Sequence, residues 1–258
     1  WANVVGEAPV RLTAGDVVVF PQGDAHVVAS APDLREGHRL PSKGRPVGGQ
    51  LPVLIAEGGG GVSAQVVCGF LSCDARPFNP LLAALPKMIV VRAGESVEPL
   101  IRLAVTETHA RRAGGEAVLA RLSELMFVEV VRHHLSGLAE GQTGWLAGLK
   151  DVYVGRSLAL LHDRPQHDWS LDELASQVAL SRSAFADRFT RLVGVPPMQY
   201  LAQWRMQLAA GLLASGPIGI AEVAHAVGYG SEAAFSRAFK KLVGVAPAAW
   251  RDARRASE

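Results

Sequence analysis

The strongest constraint on this chain is an internal repeat: its last hundred or so residues carry one pattern twice, offset by 49–50 positions. The first copy runs Leu-Asp-Glu-Leu-Ala-Ser-Gln-Val-Ala (171–179), then Leu180-Ser181, then 182–193. The second runs Ile-Ala-Glu-Val-Ala-His-Ala-Val-Gly (220–228), then Tyr229-Gly230-Ser231, then 232–243. Ala175 and Val178 match Ala224 and Val227; Phe185, Phe189, Leu192, Val193, Gly194 and Val195 match Phe235, Phe239, Leu242, Val243, Gly244 and Val245. The second copy holds one extra residue in its turn.

Each copy reads as helix, tight turn, helix, over about 171–193 and 220–243. Ser170 followed by Glu173 forms a capping box, and Ser181 suits the cap of the next helix. Leu171, Leu174, Ala175 and Val178 make the first buried stripe. Phe185, Phe189 and Leu192 are expected to turn inward in the second helix, leaving Ser183, Ala186, Asp187 and Thr190 outside. In the second copy Phe235, Phe239 and Leu242 are expected inside, with Ala233, Ser236, Arg237 and Lys240 outside. Short outward side chains let a helix approach a groove, and Arg or Ser there can bond base edges or phosphates. A plain bundle of duplicated hairpins would also repeat, but two polar outward faces behind small-residue turns favour a pair of DNA-reading units.

Bulk charge adds little to that reading. The 258 residues carry 26 Lys/Arg and 24 Asp/Glu, a net +2, and the residues from 151 onward hold 12 and 10. Two cysteines, Cys68 and Cys73, are too few for a disulfide scaffold or a cysteine-rich zinc module. No apolar run reaches the 18 or more residues of a membrane span, and the first residues lack a signal-peptide pattern, so a cytoplasmic protein is expected. The chain begins at Trp1 rather than Met, and a missing N-terminal piece is expected.

Residues 1–110 read as β-rich. Val17–Phe20, Val53–Ile55, Val66–Val67 and Met88–Val91 are separated by Gly, Pro and Asp clusters, the pattern of a small barrel or sandwich. Residues 33–50 read as a polar loop, and 74–86 as a loop and short helix covering the barrel. Near 115 the period turns helical, with Val118, Leu119, Leu122, Leu125, Met126 and Val130 on one face. Gly137, Gly141, Gly144 and Gly148 then mark a hinge. The fold class is therefore α+β in two domains, divided as 1–112, a linker and pairing helix at 113–148, and an all-α part at 149–258.

The C-terminal residues resemble the DNA-binding domain of AraC/XylS-type regulators. The resemblance rests on Ala175, Ser181, the Phe189, Gly194, Pro197 stretch, Arg205, the Gly-Tyr-Gly-Ser turn (228–231), Phe235, Phe239, Gly244 and Pro247. It implies that a helix around Leu201, Trp204 and Leu208 joins two recognition helices about 34 Å apart, entering successive major grooves of double-stranded DNA. Carried onto this sequence, the readers are Arg182, Ser183, Asp187 and Arg191 in the first unit. In the second they are Glu232, Ala233, Ser236, Arg237 and Lys240. The acidic Asp187 and Glu232 would accept from cytosine N4 or repel wrong contacts.

Gly15, Pro21, Gly23 and Asp24-Ala25-His26 resemble the second motif of cupin barrels, with Ser30 where that motif has Asn. The resemblance implies a cupin-like sensor barrel, left incomplete by the missing piece, with His26 aimed inward. Residues 1–14 contain no His, so the first cupin motif is absent. A lone barrel His is more often a bonded core residue than a ligand, although Cys68, Cys73 or His38 could join it at a soft-metal site. Cys68 and Cys73 are also candidate oxidant sensors, against the plainer reading of Cys68 as a buried small apolar residue. No bound cofactor is expected. The partners implied are DNA, RNA polymerase, a second copy paired through 116–135, and a small-molecule, metal or oxidant signal. The alternative is a cupin-type metal-dependent enzyme with an accessory helical domain, for which no paired carboxylates, nucleophile constellation or phosphate loop is visible.

Overall fold

The computed structural model describes residues 1–32, 65–69, 77–94, 97–110, 112–139 and 141–255, which form two compact units. The first holds the described residues up to 69 together with 86–137. The second holds 77–85 and the described residues from 138 onward.

In the first unit, β-branched runs form short antiparallel pairs. Strand β1 (Ala2–Val4) pairs with β3 (His26–Val28), and β2 (Val17–Val19) pairs with β4 (Ile89–Val91). Asp16 ties the second pair together, accepting from the Thr13 and Ala93 N–H groups and from Arg92 at 2.7 Å. Burial alone would raise this carboxyl, but those donors and the Thr13 hydroxyl together bring it down to about 2.

Val53–Ile55 lies outside the described residues. Val66–Val67 is not a strand: residues 65–69 run without regular structure, Val66 is 64% exposed, and the chain passes so close to Ser123 that a Cβ on Gly69 would meet its Oγ at 2.7 Å. Residues 98–110, read as β territory, form helix α2 (Glu98–Ala110). Its Ile101, Val105, Thr106 and Thr108 favour strands locally, but packing on helix α3 (Gly115–Ser136) overrides that preference. On α3 the expected face is only partly inward. Leu122 and Val130 are buried, whereas Val118 and Leu125 are exposed, as is Val128 outside the expected face.

The second unit is all helical. It comprises α1 (Pro80–Ala84), α4 (Trp145–Lys150), α5 (Val152–Asp163), α6 (Leu171–Gln177), α7 (Arg182–Val193), α8 (Pro197–Ala214), α9 (Ile220–Ala226), α10 (Glu232–Val243) and α11 (Pro247–Arg255). Residues 74–86, expected to cover a barrel, thus contribute α1 to this unit, where it packs on α4. Gly148, expected in a hinge, lies inside α4, and a Cβ there would press on Val193 at 3.3 Å.

Two apolar cores lie along α8. The first gathers Val154, Leu158, Leu161, Trp169, Leu174, Ala175, Phe185 and Phe189 with Tyr200 and Leu201 from the start of α8. The second gathers Val223, Ala224, Phe235 and Phe239 with Met206, Ala209, Ala210 and Leu213 from its end. Each fully buried Phe contributes about 1.5–3 kcal/mol of transfer free energy, so both cores are anchored by matched ring pairs.

Candidate nucleic-acid interface

The repeat holds down to single hydrogen bonds. Helix α6 ends with Ala179 N–H on the Ser176 carbonyl (3.1 Å) and Leu180 N–H on the Ala175 carbonyl (3.0 Å). Helix α9 ends with Gly228 N–H on His225 (3.0 Å) and Tyr229 N–H on Ala224 (2.8 Å). Both are Schellman turns, which place the residue after the cap in the left-handed region. Gly228 meets that demand at φ +84°, and Ala179 adopts it at φ +56° despite its Cβ. The turn then redirects the chain into α7 and α10, capped by Ser181 Oγ accepting from Ala184 N–H and by Ser231 Oγ accepting from Ala234 N–H. Gly230 is the extra residue of the second turn. The Ser170 cap of α6 also forms, but Glu173 turns to His167 Nε2 at 2.9 Å, so only half of the expected box is made.

Outward from these turns, α7 exposes Arg182, Ser183, Asp187 and Arg191 while burying Phe185 and Phe189. Helix α10 exposes Glu232, Ala233, Arg237 and Lys240, with Ser236 half-buried, opposite Phe235 and Phe239. Leu242 departs from its expected place and is 40% exposed. Its counterpart Leu192 is half-buried in the first core, where its carbonyl accepts from Gly144 N–H just before α4. Among the described residues Leu242 is not part of the second core.

The two faces differ in charge. On α7, Arg182 pairs with Asp172 at 3.1 Å, and a concavity of about 280 Å³ opens beside Leu180, Ala184, Asp187, Arg188 and Arg191. Arg188 is drawn away from the outer face. Its Nε and Nη grip both Asp151 oxygens, the shortest at 2.6 Å, and its guanidinium lies over Tyr153. Asp151 also caps α5 by accepting from Tyr153 and Val154 N–H. Its partial burial would raise the carboxyl, but Arg188 and those N–H groups hold it below its ordinary value. Among the described residues neither Arg237 nor Lys240 has an ion-pair partner, so α10 presents uncommitted positive charge.

Arg205 of α8 fastens one helix-turn-helix repeat to the other within the second compact unit. It donates to the Pro165 (2.7 Å) and His167 (2.8 Å) carbonyls and lies 5.8 Å from the Tyr229 ring centroid. The second turn sits so close that a Cβ on Gly228 would fall 2.7 Å from the Gln166 carbonyl oxygen.

Comparison with known proteins agrees with this geometry. Residues 1–136 match a family described as cupin, and residues 174–253 match a helix-turn-helix domain. A putative AraC-like transcription regulator of Streptomyces antibioticus is 36% identical over 250 residues, covering 95% of this chain and 80% of that protein. The chain belongs to the AraC-like transcription regulators. The HTH-type transcriptional regulator AlkR of Acinetobacter baylyi is 30% identical over 92% of this chain and 79% of its own length. The crystal structure of the DNA-binding domain of AdpA in complex with a target DNA is similar at 30% identity, with a TM-score of 0.40, covering 42% of this chain and 96% of that one. This AraC-like regulator thus joins a cupin domain to a DNA-binding helix-turn-helix domain.

In the regulator's first unit, His26 is exposed rather than aimed inward. It stacks on Phe20 with ring centroids 3.8 Å apart, and Nδ1 donates to the Asp24 carbonyl at 2.8 Å. Cys68 is likewise at the surface and not in the core, yet partial desolvation of its sulfur raises the thiol above its ordinary value and disfavours the thiolate. Cys73 and His38 lie outside the described residues. Among the described residues no three His, Cys, Asp or Glu side chains converge as metal ligands, and no helix is long and apolar enough to cross a membrane. The sequence reading missed the Arg188–Asp151 clasp. Its signal was available, because Asp151 precedes an apolar helical run as an N-cap does.

Proposed function

We propose that this chain is a cytoplasmic, signal-responsive regulator without enzymatic activity, whose α7 and α10 read two neighbouring major-groove segments of promoter DNA. The observation that carries this reading is the matched pair of Schellman turns and Ser-capped helices, each turning a polar face outward from a buried Phe pair. Arg182, Ser183, Asp187 and Arg191 serve the first segment; Glu232, Ala233, Ser236, Arg237 and Lys240 serve the second. Arg237 reads a base edge and Lys240 neutralises a phosphate.

In this reading residues 1–112 sense a small-molecule, metal or oxidant signal. Residues 113–148 pair two copies through the exposed Val118, Leu125 and Val128 of α3, and 149–258 bind DNA and engage RNA polymerase as an activator. The test is selection of bound duplexes from a random DNA library across a salt series. A two-part motif spaced by one helical turn supports the reading; weak, steeply salt-dependent binding with no motif overturns it. With the selected duplex, Arg237→Ala weakens binding by about 1–3 kcal/mol and relaxes the second element, while Lys240→Ala lowers the salt slope by about one unit.

A further inference from the structure

Residues 77–85 are set in the chain between two stretches of the first unit but belong to the second. Three observations define how they are held there. The Phe78 N–H donates to Gln207 Oε1 of α8 at 2.8 Å, across 129 residues of sequence. The Phe78 ring stands edge-on to Tyr200, with centroids 5.6 Å apart at 81°. Asn79 caps α1 by accepting from Leu82 N–H, and Leu82 and Leu85 are 8% and 3% exposed.

Tyr200 is the hub of the first core. It is fully buried, its hydroxyl accepts from Trp145 Nε1 at 2.9 Å, and it lies 2.8 Å from His162 Nε2. Burial keeps His162 neutral by lowering its pKa, so the tyrosine hydroxyl can donate to it. Tyr200 also meets Phe189 of α7, centroid to centroid 5.8 Å at 71°. Phe78, Tyr200 and Phe189 thus form a run of perpendicular rings from the inserted segment to the back of the first recognition helix. Such edge-to-face pairs stabilise a core beyond the area they bury. The second repeat has no counterpart. There Trp250 takes the place of Tyr200 against Phe239, and among the described apolar residues none before Met206 packs in that core.

Resting on the reading of α7 and α10 as DNA readers, we infer that Phe78 is a positioning residue for α7, so the N-terminal sequence governs how the first reader is seated and leaves the second untouched. A shift of the segment biases one reader, a differential effect of the kind regulation requires.

The test is amide hydrogen exchange on the full chain without DNA, comparing wild type, Phe78→Ala, the conservative Phe78→Leu and Gln207→Ala. Phe78→Ala is expected to speed exchange several-fold in α1 and α7 while α10 keeps its wild-type rate, with Phe78→Leu restoring much of the protection. Unchanged exchange in α7, or equal acceleration in α7 and α10, overturns the inference. If Phe78→Ala fails to fold, Gln207→Ala answers the same question by removing the acceptor of the Phe78 N–H while the Phe78 ring stays in place. On duplexes selected by wild type, Phe78→Ala then weakens discrimination at the first element alone. A wild type that selects no motif sinks the proposed function, whereas the exchange comparison decides the seating of α7 by itself.

Discussion

Two residues at equivalent turns carry different strain. Ala179 holds a left-handed conformation that costs a residue with a Cβ about 1–2 kcal/mol, and glycine's greater freedom in the unfolded chain returns part of that. Ala179→Gly therefore stabilises the protein by about 0.5–1 kcal/mol, seen as a higher urea midpoint at unchanged slope. The same exchange in reverse at Gly228 meets the Gln166 backbone at 2.7–2.8 Å as well as an unfavourable φ, and Gly228→Ala costs about 2 kcal/mol or more. Sequence alone made the second turn plain through its glycine. The first was legible only by aligning Ala179 with Gly228, because nothing in alanine itself announces a left-handed turn. Leu242 misled for a related reason. Spacing assigns a face, but only a neighbour covers it, and the cover given to Leu192 is not repeated.

Between helices, the Arg188–Asp151 clasp ties the middle of α7 to the start of α5. The folded pKa of Asp151 lies below its ordinary value of 3.8, so the clasp contributes stability above that value and loses it as pH falls through the folded pKa. Urea unfolding of wild type and Asp151→Asn should differ by a constant amount from pH 7 to 5, and the two should converge at pH values below 3.8. A difference that persists undiminished in acid would mean the clasp acts by shape and not by charge. At this scale the capped helices were readable, since Ser170, Ser181 and Ser231 each precede a periodic run. Helix α2 was not, because Ile101, Val105 and Thr106 carry strand propensity that only its packing on α3 reverses. The inserted segment was misplaced because sequence shows that Phe78 must be covered without showing by which unit.

Across the whole molecule, the exposed Val118, Leu125 and Val128 are the surface on which copies of the chain are proposed to meet. Leu125→Glu is expected to halve the mass measured by sedimentation while leaving the helical circular dichroism intact, and an unchanged mass would remove α3 from the interface. Helix α8 has a further consequence. Its start, Tyr200 and Leu201, is bound into one core, and its end, Met206 to Leu213, into the other, with no break between Pro197 and Ala214. It is a ruler and a protractor in one rod. One alanine inserted after Ala202 would lengthen it by only about 1.5 Å but swing the second reader about 100° around the rod, off the face of the duplex met by the first. Footprinting should then show each half still able to touch DNA and the pair unable to do so together. Four inserted residues, about 40° beyond a full turn, should recover part of the joint footprint at a site with wider spacing.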